Sequence, residues 1–128
     1  IKSLAVPANA VLQTHTFSGL TYTSTSTSLV LEIPSVNSSG NSIASTYDHV
    51  AFYVLGTKAY RLLEANTLSA RASGTKLLSA TISALTFTYN NADFTNVSTI
   101  TVDVQTQAST TQEILTDHRR EQIRLRNY

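Results

Sequence analysis

The 128-residue sequence has no cysteine, methionine or tryptophan, only two prolines and four glycines, and 13% charged residues. Without cysteine there is no disulfide framework, no thiolate nucleophile and no Cys-ligated zinc. Scarce Gly and Pro exclude collagen-like and Pro/Gly-rich disordered chains. A net charge of +1 gives no basic field for phosphates, so no nucleic-acid partner is expected. The longest apolar run is far too short to span a bilayer. The length suits one domain with one modest core, taken as residues 1–128. Because the first residue is Ile1 and not Met, we read the sequence as a processed or partial chain and leave a leader or anchor ahead of it open.

What the sequence does have is hydroxyl groups. The 16 serines and 20 threonines make 36 of its 128 residues. Threonine is β-branched and suits a pleated, half-exposed surface, so it supplies a soluble sheet face with few charges.

The apolar pattern then places strands. Leu29, Leu31 and Ile33 alternate, and Pro34 is expected to end that strand. Residues 36–46 read as a polar turn region around Gly40. Residues 50–55 and 58–64 are two β-rich runs joined by Gly56-Thr57, a hairpin with a type II′ turn. Both of its faces are apolar, which predicts a central place in the sheet. Residues 65–76 read as loop, and Leu77 and Leu78 as a return to the core. Residues 82–89 form a strand with Leu85, Phe87 and Tyr89 on one face, followed by a turn at 90–93. Ile100, Val102 and Val104 alternate as a half-buried strand. The tail fits a helix by Ile114, Leu115 and His118 and a strand by Leu115, Ile123 and Leu125. The strand reading is preferred for 122–126, as a hairpin running back along 99–107. The stretch 11–20 has room for a short strand, and residues 21–28 read as loop.

Little in this pattern carries chemistry. His15, His49 and His118 lack a second His or Glu at metal-ligand spacing and read as surface residues. Asp48-His49 and Asp117-His118 would point to opposite faces of a strand. Residues 90–96 (NNADFTN) offer oxygens for calcium, but with one carboxylate the loop reads as a hydrogen-bonded turn. Asn37 and Asn96 sit in glycosylation sequons, a pattern frequent by chance. Arg119, Arg120, Arg124 and Arg126 make a basic end offset by Asp117 and Glu121. Tyr47, Phe52, Tyr53 and Tyr60 read as core and cross-strand pairs. There is no phosphate loop, no G-x-S-x-G elbow and no paired acids. No enzyme activity, catalytic residue, cofactor or metal is expected.

One order of segments does point to a family. It runs Tyr47-Asp48-His49-Val50-Ala51-Phe52-Tyr53-Val54, Gly56-Thr57-Lys58-Ala59-Tyr60-Arg61, Leu77-Leu78, Leu85-Thr86-Phe87-Thr88-Tyr89, Ile100-Thr101-Val102-Asp103-Val104 and Ile123-Arg124-Leu125-Arg126-Asn127. Over residues 28–127 this order resembles the soluble domain of type IV pilin-like proteins. It is most similar to minor pilins and the J-type pseudopilins of type II secretion. The quoted positions are mostly core and turn positions, so they bear on fold more than activity.

The resemblance implies an α+β head, a mainly antiparallel sheet packed on an N-terminal helix. Residues 1–20 would be a helix remnant or connecting segment, and 28–127 the sheet. It implies a structural subunit of a type IV pilus or secretion pseudopilus that works by contacts with other subunits. Such a subunit is anchored in the inner membrane through its helix before assembly and then lies at the cell surface or in the periplasm. The family's leader, its glycine-phenylalanine-threonine-leucine-x-glutamate motif and its disulfides are not in this sequence. With the helix missing, the apolar sheet face should be covered by a second copy, in a homodimer, or by residues 1–20. The other class that suits the residues is a β-sandwich surface or adhesion module for glycan or protein.

Overall fold

A turn at Gly56-Thr57 organises the larger sheet. A computed structural model describes residues 8–109 and 113–125. Ten strands follow in chain order: β1 Ala10–Val11, β2 Thr14–Phe17, β3 Leu20–Thr23, β4 Leu29–Val36, β5 Ser42–Leu55, β6 Lys58–Glu64, β7 Gly74–Ser79, β8 Ile82–Tyr89, β9 Thr99–Ser109 and β10 Ile114–Arg124. Leu55 pairs with Lys58 across a two-residue loop. Gly56 has φ +62° and Thr57 does not share the left-handed region, as a type II′ turn requires. Strands β4, β5, β6 and β7 then pair antiparallel in sequence, and β1 closes the β4 edge, giving the order β1-β4-β5-β6-β7. Strands β8, β9 and β10 form a second antiparallel sheet, and β2-β3 a separate hairpin.

The two sheets share one core. Leu29, Leu31 and Ile33 of β4 with Val50 and Phe52 of β5 meet Leu85 and Phe87 of β8, Ile100 and Val102 of β9 and Ile123 of β10. This is a sandwich, two sheets burying their inner alternate residues against each other. The Tyr89 hydroxyl donates to the carbonyl oxygens of Thr25 (2.8 Å) and Ser28 (2.9 Å), tying the second sheet to the segment that leads into β4.

The five-stranded sheet is covered on its other face too. Ser18 (φ +47°) and Gly19 (φ +92°) make a two-residue turn between β2 and β3, with Phe17 opposite Leu20. Positive φ at both positions is the type I′ geometry that matches strand twist. The hairpin lays Phe17 and Tyr22 over Val30 and Ala51, with Leu12, Tyr53 and Leu62 around them. Buried Ser24 fixes its base, donating to the Leu12 carbonyl (2.7 Å) and accepting from the Val30 amide (2.9 Å).

Several expectations are corrected here. The fold is not α+β: strand makes up 65% of it, 3% is helical, and among the described residues the helical part is one 3₁₀ turn, Phe94–Asn96. No helix among the described residues covers the larger sheet: one face packs on the second sheet and the other on the β2-β3 hairpin, where Leu12 and Phe17 belong to the residues 1–20 expected to fold over an uncovered face. Residues 10–11, 14–17 and 20 lie in strands, in keeping with the short strand expected within 11–20 and not with a helix remnant, while residues 1–7 lie outside the described residues. Thr21 to Thr23 belong to β3, because the Ser18-Gly19 turn pairs them with β2. Pro34 does not end β4, since a register shift between Pro34 and Val36 removes the need for its missing N–H. Strand β5 begins at Ser42, inside the expected turn region, and Ser45 (φ +54°) lies in the irregular stretch. Leu77 is exposed, and only Leu78 reaches the core. The tail is a strand, longer than expected, because β10 pairs with β9 over its whole length.

The central position of hairpin 50–64 and the faces of β8 and β9 are as the pattern predicted. No helix among the described residues is long and apolar enough to cross a membrane.

Candidate functional site

Register builds a polar cluster that unites β2, β5 and β6. Each step back along β5 from Leu55 is matched by a step forward along β6 from Lys58, so His49 lies opposite Glu64. His49 also lies opposite Glu32 of β4. These three residues form a row on the face that carries Val30, Ala51 and Leu62. The β2-β3 hairpin covers that face and brings His15 down onto the row.

His15 Nε2 donates to Glu64 Oε1 at 2.9 Å. The His15 and His49 rings stack at 3.8 Å with planes 12° apart. His49 Nδ1 lies 4.0 Å from the same Glu64 oxygen, too far for a hydrogen bond. Phe17 meets His15 edge-to-face, with ring centroids 4.7 Å apart and planes at 86°. Burial and the neighbouring His15 hold the His49 pKa below its ordinary value of 6.5, against the opposing pull of Glu32, Glu64 and Asp48. His49 therefore favours the neutral form, with a ring nitrogen free to accept.

A groove of about 470 Å³ runs beside the hairpin, between Leu20 and Tyr22 on one side and Leu62, Gly74 and Thr75 on the other. Glu64 and Tyr53 line it. Tyr53 stacks on Tyr60 at 5.5 Å and meets Tyr22 at 4.9 Å. Burial, with the adjoining Tyr22 hydroxyl, pushes the Tyr53 phenol up to about 12, so it stays a neutral donor.

On the opposite face, fully buried Asp48 anchors the loop after β6. Its carboxylate accepts from Ser35 Oγ (2.7 Å), Asn66 N (2.8 Å), Ser69 Oγ (2.8 Å) and Arg71 Nη1 (2.8 Å). Arg71 also donates to the Pro34 carbonyl (2.7 Å). Burial alone would raise this carboxyl, but the hydrogen bonds outweigh it and its pKa is lowered. Every contact is internal, so the cluster is a structural lock and offers no open position for a ligand.

The other residues weighed from the sequence fall elsewhere. His118 lies across the second sheet, 3.4 Å from Asp103, which also accepts from Arg120 at 2.6 Å. Arg119 pairs with Asp117 at 3.1 Å, Arg124 lies opposite Thr99, and Arg126 is outside the described residues. In loop 90–96, Asp93 accepts from the Thr95 amide and hydroxyl, and Asn90 accepts from the Ser98 and Thr99 amides. These oxygens hold the turn. The Asn37 side chain caps its own turn, accepting from the Ser39 and Asn41 amides. Asn96 donates to Asp93. Tyr47 lies opposite Pro34, and Phe52 is core.

Sequence reading missed the meeting of His15, His49 and Glu64. Half of it was computable, since the Gly56-Thr57 turn already sets His49 against Glu64. His15 was not, because its arrival depends on the hairpin's packing across 49 residues of chain.

Neither a family model, nor a curated protein, nor a solved structure matches this chain.

Proposed function

We propose that the chain is a structural subunit that works by contacts with other protein subunits, of the minor-pilin or pseudopilin type. The observation that carries this reading is strand β10. It forms one edge of its sheet for eleven residues, and only Ile123 along it is buried. Such an edge offers a row of unpaired backbone groups to another chain, the basis of strand addition. At its start Ile114 is 66% and Leu115 is 50% exposed, too apolar for a strand meant only to face water. Next to it Val102 and Val104 line a depression of about 200 Å³ with Arg119 and Glu121. The charged residues that follow would restrict pairing to a complementary partner. The segment order over residues 28–127 supports the same reading. On it, the subunit acts at the cell surface or in the periplasm, with no catalytic role.

The second reading, a surface or adhesion module, draws on the two-sheet sandwich and the open groove beside β2-β3. The intact gene separates the two. A short basic leader followed by a glycine-phenylalanine motif and about 20 apolar residues ahead of Ile1 is expected for the pilin class. An ordinary signal peptide or another globular domain there would overturn it in favour of the adhesion module.

A further inference from the structure

We infer that His15, His49 and Glu64 form a site for a divalent transition metal of the zinc type, which clips the β2-β3 hairpin to the five-stranded sheet. The donor atoms of all three lie within 4.8 Å of one another. Two imidazoles and one carboxylate are a set that zinc and its first-row neighbours accept. In a tetrahedral zinc site, with bonds of about 2.0–2.2 Å, donors stand about 3.3 Å apart. The separations of 2.9 Å and 4.0 Å from Glu64 Oε1 bracket that value. Side-chain rotations on the three strands are what would bring the donors to that spacing. The stacked rings must tilt apart, since lone pairs in parallel planes run side by side and do not converge.

The metal resolves what protons alone leave uneven. Glu64 Oε1 satisfies His15 and leaves His49 at 4.0 Å from it. A cation between the three engages both rings and the carboxylate at once. The proton that His15 Nε2 now donates to Glu64 leaves to solvent or resides on Nδ1, and each imidazole binds as the neutral ring. The side chains of His15 and His49 are each 24% exposed and that of Glu64 38%, so a fourth position opens to water. The chain has no cysteine, and this site would join segments 49 residues apart as a staple. It is independent of the β10 edge and of the function proposed for it.

The test uses tag-free protein of the full 128-residue chain, titrated with Zn²⁺ by calorimetry and with Co²⁺ by its visible spectrum. One equivalent is expected to bind, to raise the unfolding temperature and to give a tetrahedral Co²⁺ spectrum. Removing a group that only orients a ligand weakens a metal site about 10- to 100-fold, so loss of a ligand should cost at least as much. His15→Ala and the near-isosteric Glu64→Gln should each weaken binding by that factor, with the apo fold retained by circular dichroism. His118→Ala should leave it unchanged. Affinity should fall as pH drops and the imidazoles take up protons. No binding at micromolar protein with excess Zn²⁺ would overturn the inference. So would binding that survives His15→Ala and Glu64→Gln, or that is lost on His118→Ala.

Discussion

The two sheets of the sandwich are built from the same residue types, yet they treat their outer faces in opposite ways. In the five-stranded sheet, residues of both parities are apolar, with Leu31 and Val50 inward and Val30 and Ala51 outward. In the three-stranded sheet the inward residues are Phe87, Ile100 and Val102, and the outward ones include Thr86, Thr88 and Thr101. The first sheet needs a cover on its second face and receives it from β2-β3. The second needs none, because threonine keeps β geometry while facing water. An apolar outer face calls in a further layer, and a threonine face ends the stack.

The largest expected effect breaks the first sheet from inside. Asp48→Ala removes the acceptor of four hydrogen bonds and leaves Arg71 facing a buried void. Breaking a buried ion pair by removing one partner costs about 3–5 kcal/mol. Urea denaturation should show that loss, and Asp103→Ala in the second sheet, whose partners Arg120 and His118 lie at the surface, should not match it. The sign with pH also follows. The folded Asp48 carboxyl titrates below its ordinary value of 3.8, so its contribution is complete above that value. It is lost as pH falls through the folded titration. The wild type should lose stability below about pH 4, and Asp48→Ala should lose less over the same range.

Next comes the cover itself. Phe17→Ala takes the buried anchor from the hairpin, at a cost of about 3 kcal/mol, the low end for Phe to Ala because the cluster is small. Thr88→Ala, on the uncovered outer face of the second sheet, should stay within about 0.5 kcal/mol. Amide exchange should show β2-β3 opening in the Phe17 variant while β8 and β9 remain protected. Equal costs at the two positions would end the contrast between the faces.

This contrast shows where the sequence was readable. Alternation at Leu85, Phe87, Ile100 and Val102 gave the second sheet its faces directly, since local periodicity decides them. The two-sided hairpin 50–64 correctly signalled a central position. It could not show what covers the outer face, because a helix, a second copy and a β-hairpin all satisfy the same apolar demand. The short run Thr14 to Thr23 holds only Phe17, Leu20 and Tyr22 as large apolar residues, and its turn is Ser18-Gly19, a less marked signal than Asn-Gly. A short strand within 11–20 could be read, but its pairing into a hairpin was illegible locally, and with it the arrival of His15 beside His49. The expected helix came from the resemblance, whose quoted residues begin at Tyr47 and say nothing of residues 1–20.

A smaller effect tests the turn that sets the register of the first sheet. Gly56 has φ +62° with open space around its Cα, so Gly56→Ala meets backbone strain and no clash. The expected cost is about 1–2 kcal/mol, seen as a lower denaturation midpoint at unchanged slope. Because the register of β5 on β6 also opposes His49 to Glu64, a slip here would send one of them to the other face. Histidine NMR shifts of the variant would show whether the row is kept.

The smallest effect on stability carries the largest consequence for function. Leu115 is half exposed on the edge strand β10, opposite Ala108 and outside the buried core. Leu115→Asp should therefore change the unfolding free energy by no more than about 0.5 kcal/mol, as for other surface substitutions. If β10 serves only as a sheet edge, the added charge protects it further and nothing else changes. If it is the contact strand of an assembling subunit, the charge places a desolvation cost inside the interface. A photo-reactive residue at position 117, on the same face as Leu115, should then cross-link to a neighbouring subunit of the assembly in the native producer. The same probe in the Leu115→Asp background should not. No cross-link from position 117 even with Leu115 intact would remove β10 from the interface and leave the outer face of the second sheet, smooth with threonine, as the next surface to probe.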